Sequence, residues 1–180
     1  NVSGDSPAGT EVTDSSQDGD DVDPDGNQDP TDNNDPTPVP IPAVAILKNL
    51  TSSVLLPDGD VRLTFDMLVR NIGNVGLINF IVEDPLPFAS ALAATPDFTV
   101  NVVNISANVA PMANLMYNGT SNLNLVTGSS LLLPTQEFRI ILSVDVNPVT
   151  FAQLNTAQKV NQAVVFATPI DPSGNVLINP

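Results

Sequence analysis

Hydrophobic and polar residues alternate along two segments of this chain, and both patterns predict β-strands. In residues 61–69 (VRLTFDMLV) every second side chain, from Val61 to Val69, is apolar. Residues 138–146 (FRIILSVDV) repeat the pattern from Phe138 to Val146. A period of two over a whole segment is typical of a strand that buries one face. We therefore expect two long, half-buried strands here.

Shorter apolar runs, separated by turn sequences, fill the rest of the chain from residue 42 onward. They predict further strands at residues 43–49, 76–83, 98–105, 121–126, 131–133, 159–167 and 175–178. Turn-forming pairs such as Asp58-Gly59 and Asn118-Gly119 lie between the strands. Short helical turns are expected at residues 88–95 and 148–157. About seven to nine short strands with frequent turns predict an all-β, immunoglobulin-like β-sandwich.

The first part of the chain has a different composition. The net charge of the 180 residues is -15, and residues 1–35 hold 11 of the 20 acidic residues and no Lys or Arg. Residues 14–38 have almost no apolar side chains, so they cannot bury enough surface to offset the entropy of ordering. We therefore divide the chain into a terminal strand (1–13), an acidic linker (14–41) and the sandwich (42–180).

Two short segments of the chain resemble each other. Residues 6–14 (SPAGTEVTD) and residues 171–179 (DPSGNVLIN) share a proline, a small residue and a glycine, followed by a short strand, at an offset of 165 positions. This echo predicts a tandem array in which residues 1–13 close a preceding repeat. The alternative is that residues 1–13 add a strand to a neighbouring copy and so build a non-covalent polymer. Either way, the expected partners are further copies of the same repeat.

Oxygen-bearing side chains in the acidic linker have the spacing of a calcium-binding loop. Counted from Asp21, acids occupy positions one, three, five, nine and twelve, and Gly26 occupies position six. Ca²⁺ takes roughly six to eight oxygen ligands, and the glycine permits the sharp turn that brings the later ligands round. Asp32 replaces the usual glutamate at position twelve. The expected ligands are Asp21, Asp23, Asp25, the carbonyl of Asn27, Asp29 and Asp32.

A second copy of the loop starts seven residues earlier. Its oxygen ligands are Asp14, Ser16, Asp18 and Asp20, with Gly19 at the sixth position. Such staggered loops resemble the thrombospondin type 3 and dockerin calcium arrays, and they predict two ions. Acids between Asp14 and Asp35 repel one another, so we expect Ca²⁺ to fold and stiffen an otherwise extended linker. The alternative is an acidic linker that is simply solvated.

The composition also excludes several kinds of chemistry. The chain has no Cys and no His, which excludes disulfides, Cys/His zinc sites and nucleophile–histidine catalysis. Its acidity argues against nucleic acid and anionic membranes as partners, and no apolar run has the length of a membrane span. Five scattered basic residues predict no phosphate site. We therefore expect a protein that is not an enzyme.

Residues 69–87 resemble the core of a repeat domain from very large bacterial surface proteins. The segments VRNIGNVGL and VEDPLP match its N-x-G and D-x-L-P motifs, and Asn161-Gln162-Ala163 matches its N-x-A strand. The acidic linker resembles the tail of the Bacteroidetes members, which include adhesin-like proteins with type IX secretion signals. The resemblance implies an immunoglobulin-like fold, secretion to the cell surface and a role in an adhesin or filament, with no ligand specified.

These observations predict a calcium-stiffened structural repeat of an extracellular surface protein. The alternative is a ligand-binding adhesion module, in which the loop at residues 106–120 exposes Met112, Leu115 and Met116 to a sugar, host or other surface. Asp84 has two interpretations from the sequence. It caps the end of a strand, or it joins Glu83 in a calcium site between domains.

Overall fold

The structure of the chain is a computed structural model that describes residues 2–5, 11–14, 26, 39–92, 96–104, 111–128 and 130–177. Contacts divide the chain into two units, Asn1–Pro40 and Ile41–Pro180. In the first unit, strands β1 (Val2–Asp5) and β2 (Glu11–Asp14) pair with each other in antiparallel fashion. The described part of the second unit contains β3 (Val44–Leu55), β4 (Val61–Asn71), β5 (Gly76–Glu83), α1 (Pro87–Ala91), β6 (Asp97–Asn104), β7 (Met112–Ala113), β8 (Val126–Thr127), β9 (Glu137–Val146), α2 (Pro148–Gln153), a 3-10 turn (Ala157–Lys159) and β10 (Val164–Ile170).

The first layer of the second unit is an antiparallel sheet with the strand order β3-β4-β9-β6. Its two central strands, β4 and β9, are those predicted from the strict alternation. Met67, Val69, Ile140 and Leu142 point inward and have no exposed surface. The side chains between them point outward, as a period of two requires. Gly59 has a φ of 93° in the predicted turn from β3 to β4.

The second layer is built around β5, which pairs with β10 along one edge. Its other edge makes antiparallel bridges from Leu77 to Leu132 and from Glu83 to Asn124. β8 lies between these two bridges in sequence and pairs with β7. Asn79 has a φ of 52°, and the register of β5 with β10 shifts beside it. The extra residue places both Leu77 and Phe80 in the core.

The two layers enclose one hydrophobic core. Phe138 of β9 and Phe80 of β5 meet edge to face, with ring centroids 5.5 Å apart. Leu125, Val126 and Leu132 from the irregular edge of the second layer complete the core, each without exposed surface. The predicted all-β sandwich is therefore confirmed, with eight strands in the described part of the second unit. Both predicted helical turns are present, as α1 and α2.

Four of the predicted strands are wrong in extent. In the described residues, those at 131–133 and 175–178 are reduced to single bridges at Leu132 and Val176. Local hydrogen bonds explain the other two. Residues 159–163 are not extended strand, because Asn155 and Gln158 exchange side-chain-to-backbone bonds that close the 3-10 turn. Residues 121–123 are not a strand either. There, Asn118 Oδ1 accepts hydrogen bonds from the backbone N–H groups of residues 120–122 and holds a compact turn. Residue propensities do not show whether a segment will form local hydrogen bonds or pair with a strand.

The turn after β4 contains Asn71 and Gly73, two residue types that adopt a positive φ readily. None of residues 71–74 has a positive φ, however. Asn71 is instead fully buried, and its side-chain amide donates to the carbonyl oxygens of Val75 and Leu132 at 2.7 and 2.9 Å. Gly73 is needed for space, because a Cβ there would collide with the Ile41 carbonyl oxygen and lie 2.6 Å from the Ala43 nitrogen.

Gly73→Ala is therefore expected to lower the free energy of unfolding by about 1–3 kcal/mol, since the obstructing atoms are backbone and cannot rotate away. Gly76→Ala is the matched control, because its Cβ would meet only side-chain atoms of Ile170 and Leu131, at 3.1–3.4 Å. Urea denaturation of both variants measures the difference. Equal stability of the two variants would contradict this account of Gly73.

Candidate functional site

The predicted calcium ligands fall almost entirely outside the described residues. Asp14 ends strand β2, and its backbone pairs with Val2. The other predicted ligands lie outside the described residues: Ser16, Asp18, Asp20, Asp21, Asp23, Asp25, Asn27, Asp29 and Asp32. Gly26, at the sixth position of the main loop, is exposed and has a φ of 69°. This is the left-handed conformation that glycine adopts readily. The metal site stays a prediction.

Among the described residues, no group of three or more Asp and Glu side chains is arranged to hold a metal ion. None of the helices in those residues has the length and apolar character of a membrane span. The basic residues are all engaged. On the outer surface of β4 and β9, Arg62 pairs with Asp145, Arg139 with Asp66 and Arg70 with Glu137. Lys159 donates to the Ala152 carbonyl oxygen.

Lys48 and Asp84 form an ion pair inside the sandwich, between its two layers. Lys48 stands opposite Met67 on the inward face of β3, and Asp84 follows the last residue of β5. Lys48 Nζ donates to both carboxylate oxygens, at 2.6 and 2.5 Å. The Asp84 side chain has no exposed surface, and that of Lys48 is only 11 % exposed. The Asp84 carboxylate is therefore engaged by Lys48 inside the sandwich, a pairing that neither sequence-based interpretation of Asp84 included.

The backbone around Asp84 is fixed at three points. Its N–H donates to the Leu123 carbonyl oxygen at 3.0 Å, and its own carbonyl accepts from the Tyr117 hydroxyl at 2.7 Å. Leu86 N–H donates to the Gly119 carbonyl oxygen at 2.8 Å. Tyr117 is buried and packs edge to face on Phe98. These bonds fix the backbone from which the Asp84 side chain projects, and the two hydrogen bonds from Lys48 orient its carboxylate.

Burial favours the neutral forms of both Lys48 and Asp84. Loss of water contact lowers the pKa of Lys48, and the attraction of Asp84 opposes this only in part. The same loss of water contact raises the pKa of Asp84, against the opposing effect of Lys48. The Phe65 ring, whose centroid lies 4.6 Å from Lys48 Nζ, helps to exclude water from the pair. A neutral amine beside a protonated carboxylic acid is therefore more accessible here than on the surface.

Besides Lys48 and Asp84, which pair with each other, the polar side chain of Asn161 is buried, and it has no partner. Neither Oδ1 nor Nδ2 of Asn161 has a hydrogen bond, although both atoms are shielded from solvent. Leaving a buried amide group unsatisfied costs about 1–3 kcal/mol, so such a group calls for an explanation. Val164 pairs with Glu83, so the segment that carries Asn161 enters β10 beside the end of β5, which Asp84 directly follows.

The sequence-based reasoning missed this site, but the sequence contained a signal for it. Lys48 follows Val44 and Ile46 at the period-two positions of β3 that face the core. Asp84 follows Phe80 and Val82 in the same way at the end of β5. A lysine and an aspartate of opposite charge at apolar positions of two strands indicate a buried pair. For Asn161, the sequence offered only its place in the N-x-A motif, which does not indicate a buried polar group.

The loop that the binding alternative depends on is described only from residue 111 onward. Met112, Leu115 and Met116 are 63, 86 and 74 % exposed, respectively. Exposed apolar side chains of this kind suit a contact surface. They lie within five residues of one another and follow a segment, 105–110, that lies outside the described residues.

No family model, curated protein or solved structure matches this chain. The likeness to bacterial surface repeats therefore rests on the sequence motifs alone.

Proposed function

We propose that this chain is a segment of a tandem structural repeat in an extracellular, cell-surface adhesin or filament protein, with no catalytic activity. The observation that carries the proposal is a hairpin that occurs twice. In the first unit Asp5 pairs with Glu11, and in the second unit Ile170 pairs with Val176. The second pair lies 165 positions after the first, the same offset that relates the two similar sequence segments.

The repeated pairing supports an assignment of β1 and β2 to the end of a preceding repeat. In the sequence, a proline, a small residue and a glycine stand between the paired residues in both cases. In the second hairpin Gly174 has a φ of 87°, and Asp171 Oδ1 accepts a hydrogen bond from the Asn175 backbone N–H at 2.8 Å. Because turn type and loop length set the register of a hairpin, the matched pairing agrees with the matched turn sequences. We therefore propose that a hairpin of this type ends each repeat, before the next linker begins.

The acidic linker is proposed to bind Ca²⁺ and to stiffen the junction between repeats. Support comes from the two staggered sets of acids and from the positive φ of Gly26. Ca²⁺ would cancel the repulsion among the carboxylates and give the chain a fixed path. A spacer with stiff junctions projects whatever it carries away from the cell surface.

Calorimetric titration of the 180-residue chain with CaCl₂ is expected to show binding heat, and Ca²⁺ is expected to slow cleavage of the linker by proteinase K. Asp23→Asn/Asp25→Asn should weaken binding at least tenfold, about 1.4 kcal/mol. The matched control, Asp5→Asn/Asp35→Asn, removes the same charge from the acidic part of the chain without touching a predicted ligand. Absence of heat, or equal losses in the two double variants, would overturn the calcium proposal.

The binding alternative has its own support in the exposed Met112, Leu115 and Met116. A spacer repeat needs few exposed apolar side chains, so these three suit a contact with a surface or with a neighbouring copy. Nothing in the described residues indicates what covers them. The structural role, which rests on the repeated hairpin, is therefore the function we favour.

A further inference from the structure

We infer that Lys48 and Asn161 join through an intramolecular isopeptide bond, with Asp84 transferring the protons. The inference starts from three buried polar groups: an amine, a carboxylate and a carboxamide. Lys48 Nζ lies within 2.6 Å of both Asp84 oxygens, and the Asn161 carboxamide is buried with neither polar atom bonded. The inference does not depend on the calcium linker or on the tandem arrangement.

The topology brings the three groups to one region of the sandwich. β10 pairs with β5 and also contacts β3, so the strand that follows Asn161 runs next to the strands that carry Asp84 and Lys48. Ala163 packs against the core, and both side-chain polar atoms of Asn161, two residues earlier, are shielded from solvent. Lys48 reaches into this region from β3 to meet Asp84.

The bond-forming step balances without an external reagent. Lys48 Nζ passes a proton to the Asp84 carboxylate and attacks Cγ of Asn161 as a neutral amine. The new Nζ–Cγ bond replaces the Cγ–Nδ2 bond, and Nδ2 leaves as ammonia. Of the two protons that Lys48 loses, one departs with Nδ2 and one remains on Asp84, which is left as a neutral acid. No atom is oxidised or reduced.

The environment favours each part of this step. Burial lowers the pKa of Lys48 and raises the pKa of Asp84, so both groups approach the protonation states that the reaction requires. The Phe65 ring and the buried Tyr117 limit access of water that would compete with the amine. The Asp84 backbone is held by its bonds to Leu123 and Tyr117, and both carboxylate oxygens accept from Lys48, which keeps the proton carrier beside the amine.

Asn161 is a better acceptor for the amine than Asp84 itself. A direct Lys48–Asp84 amide would consume the only carboxyl group at the pair and leave no acid to assist the leaving group. It would also leave the Asn161 carboxamide buried and unsatisfied. Reaction at Asn161 uses all three groups and removes the unsatisfied one.

Covalent linkage here would bypass most of the sandwich under tension. Lys48 lies on the first strand of the second unit, and Asn161 lies just before its last strand. A pull that enters at β3 and leaves at β10 would pass through the new bond instead of the hydrogen bonds of the sheets. The residues between 48 and 161 would then stay folded or, if unfolded, would not extend.

Intact-mass spectrometry of the denatured wild-type chain tests the inference directly. The expected mass is lower than the sequence mass by one ammonia. The chain has only two lysines, and an acylated Lys48 resists trypsin. Digestion should therefore give residues 1–62 joined to residues 160–180, and the peptide ending at Lys48 should be missing.

Variants distinguish the formation of this bond from other reactions that release ammonia. Lys48→Arg, Asn161→Ala and Asp84→Asn should each restore the full mass, whereas Lys159→Arg and Asn101→Ala should keep the deficit. A wild-type chain of unaltered mass would overturn the inference. So would a loss of water with a Lys48–Asp84 peptide, or a deficit that survives Lys48→Arg, which would mark cyclisation of an asparagine elsewhere.

Discussion

Lys48→Met is expected to lower the free energy of unfolding of the sandwich by at least about 3–5 kcal/mol. The substitution leaves the Asp84 carboxylate, which has no exposed surface, without its counter-charge. Breaking a buried pair by removing one partner costs about this much. Lys159→Met is the matched control, because Lys159 is exposed and its hydrogen bond is to a backbone carbonyl. Its loss should stay below about 1 kcal/mol.

The double variant Lys48→Met/Asp84→Leu then distinguishes an ion pair from a covalent bond. If the two residues form only an ion pair, two apolar side chains should restore most of the lost stability, since such replacements are often neutral or stabilising. If Lys48 is bonded to Asn161, the double variant should remain less stable than the wild type. A cross-link that closes a loop of roughly 100 residues contributes about 4–5 kcal/mol by restricting the unfolded chain. Guanidinium denaturation of the four proteins gives the comparison.

Phe138→Ala is expected to destabilise the sandwich by about 3–5 kcal/mol. Phe138 lies on β9, has no exposed surface and packs edge to face on Phe80 of the opposite layer. Truncation would leave a cavity where the two layers meet, and the strands on either side are too tightly paired to fill it. The loss should appear as a lower denaturation midpoint with an unchanged slope.

Phe166→Ala provides the control for this core substitution. Phe166 lies on β10 and is 53 % exposed, so its truncation removes little buried surface and should cost less than about 1 kcal/mol. Losses of similar size in the two variants would mean that the core is not centred between β9 and β5.

The sequence determined the strands that have a regular pattern. β4 and β9 occupy the predicted segments to within two residues, because alternation of apolar and polar side chains is a local property of an extended chain with one buried face. β5 matches its predicted range. The turn at Asp58-Gly59 was equally readable, since Asp58 Oδ1 accepts a hydrogen bond from the Asp60 N–H within the turn.

Irregular strands were predicted less well, because their form depends on their neighbours. The register shift at Asn79 changes which β5 side chains face inward, and it becomes visible only when β5 is paired with β10. The segment around Asn124 looked like a strand, yet it makes a single bridge to β5, since the turn at Asn118 takes up the preceding backbone groups. Competition between local and long-range hydrogen bonds cannot be judged from composition.

The sequence by itself therefore determined the all-β class and the two central strands, and it predicts calcium ligands in the acidic linker. Only the tertiary structure decided that Lys48 meets Asp84 and that the Asn161 carboxamide is buried without a partner. Periodicity shows that a side chain points inward, but it does not show which inward-pointing side chain of another strand it meets. That choice depends on strand order and register, which bring residues 36 positions apart into contact.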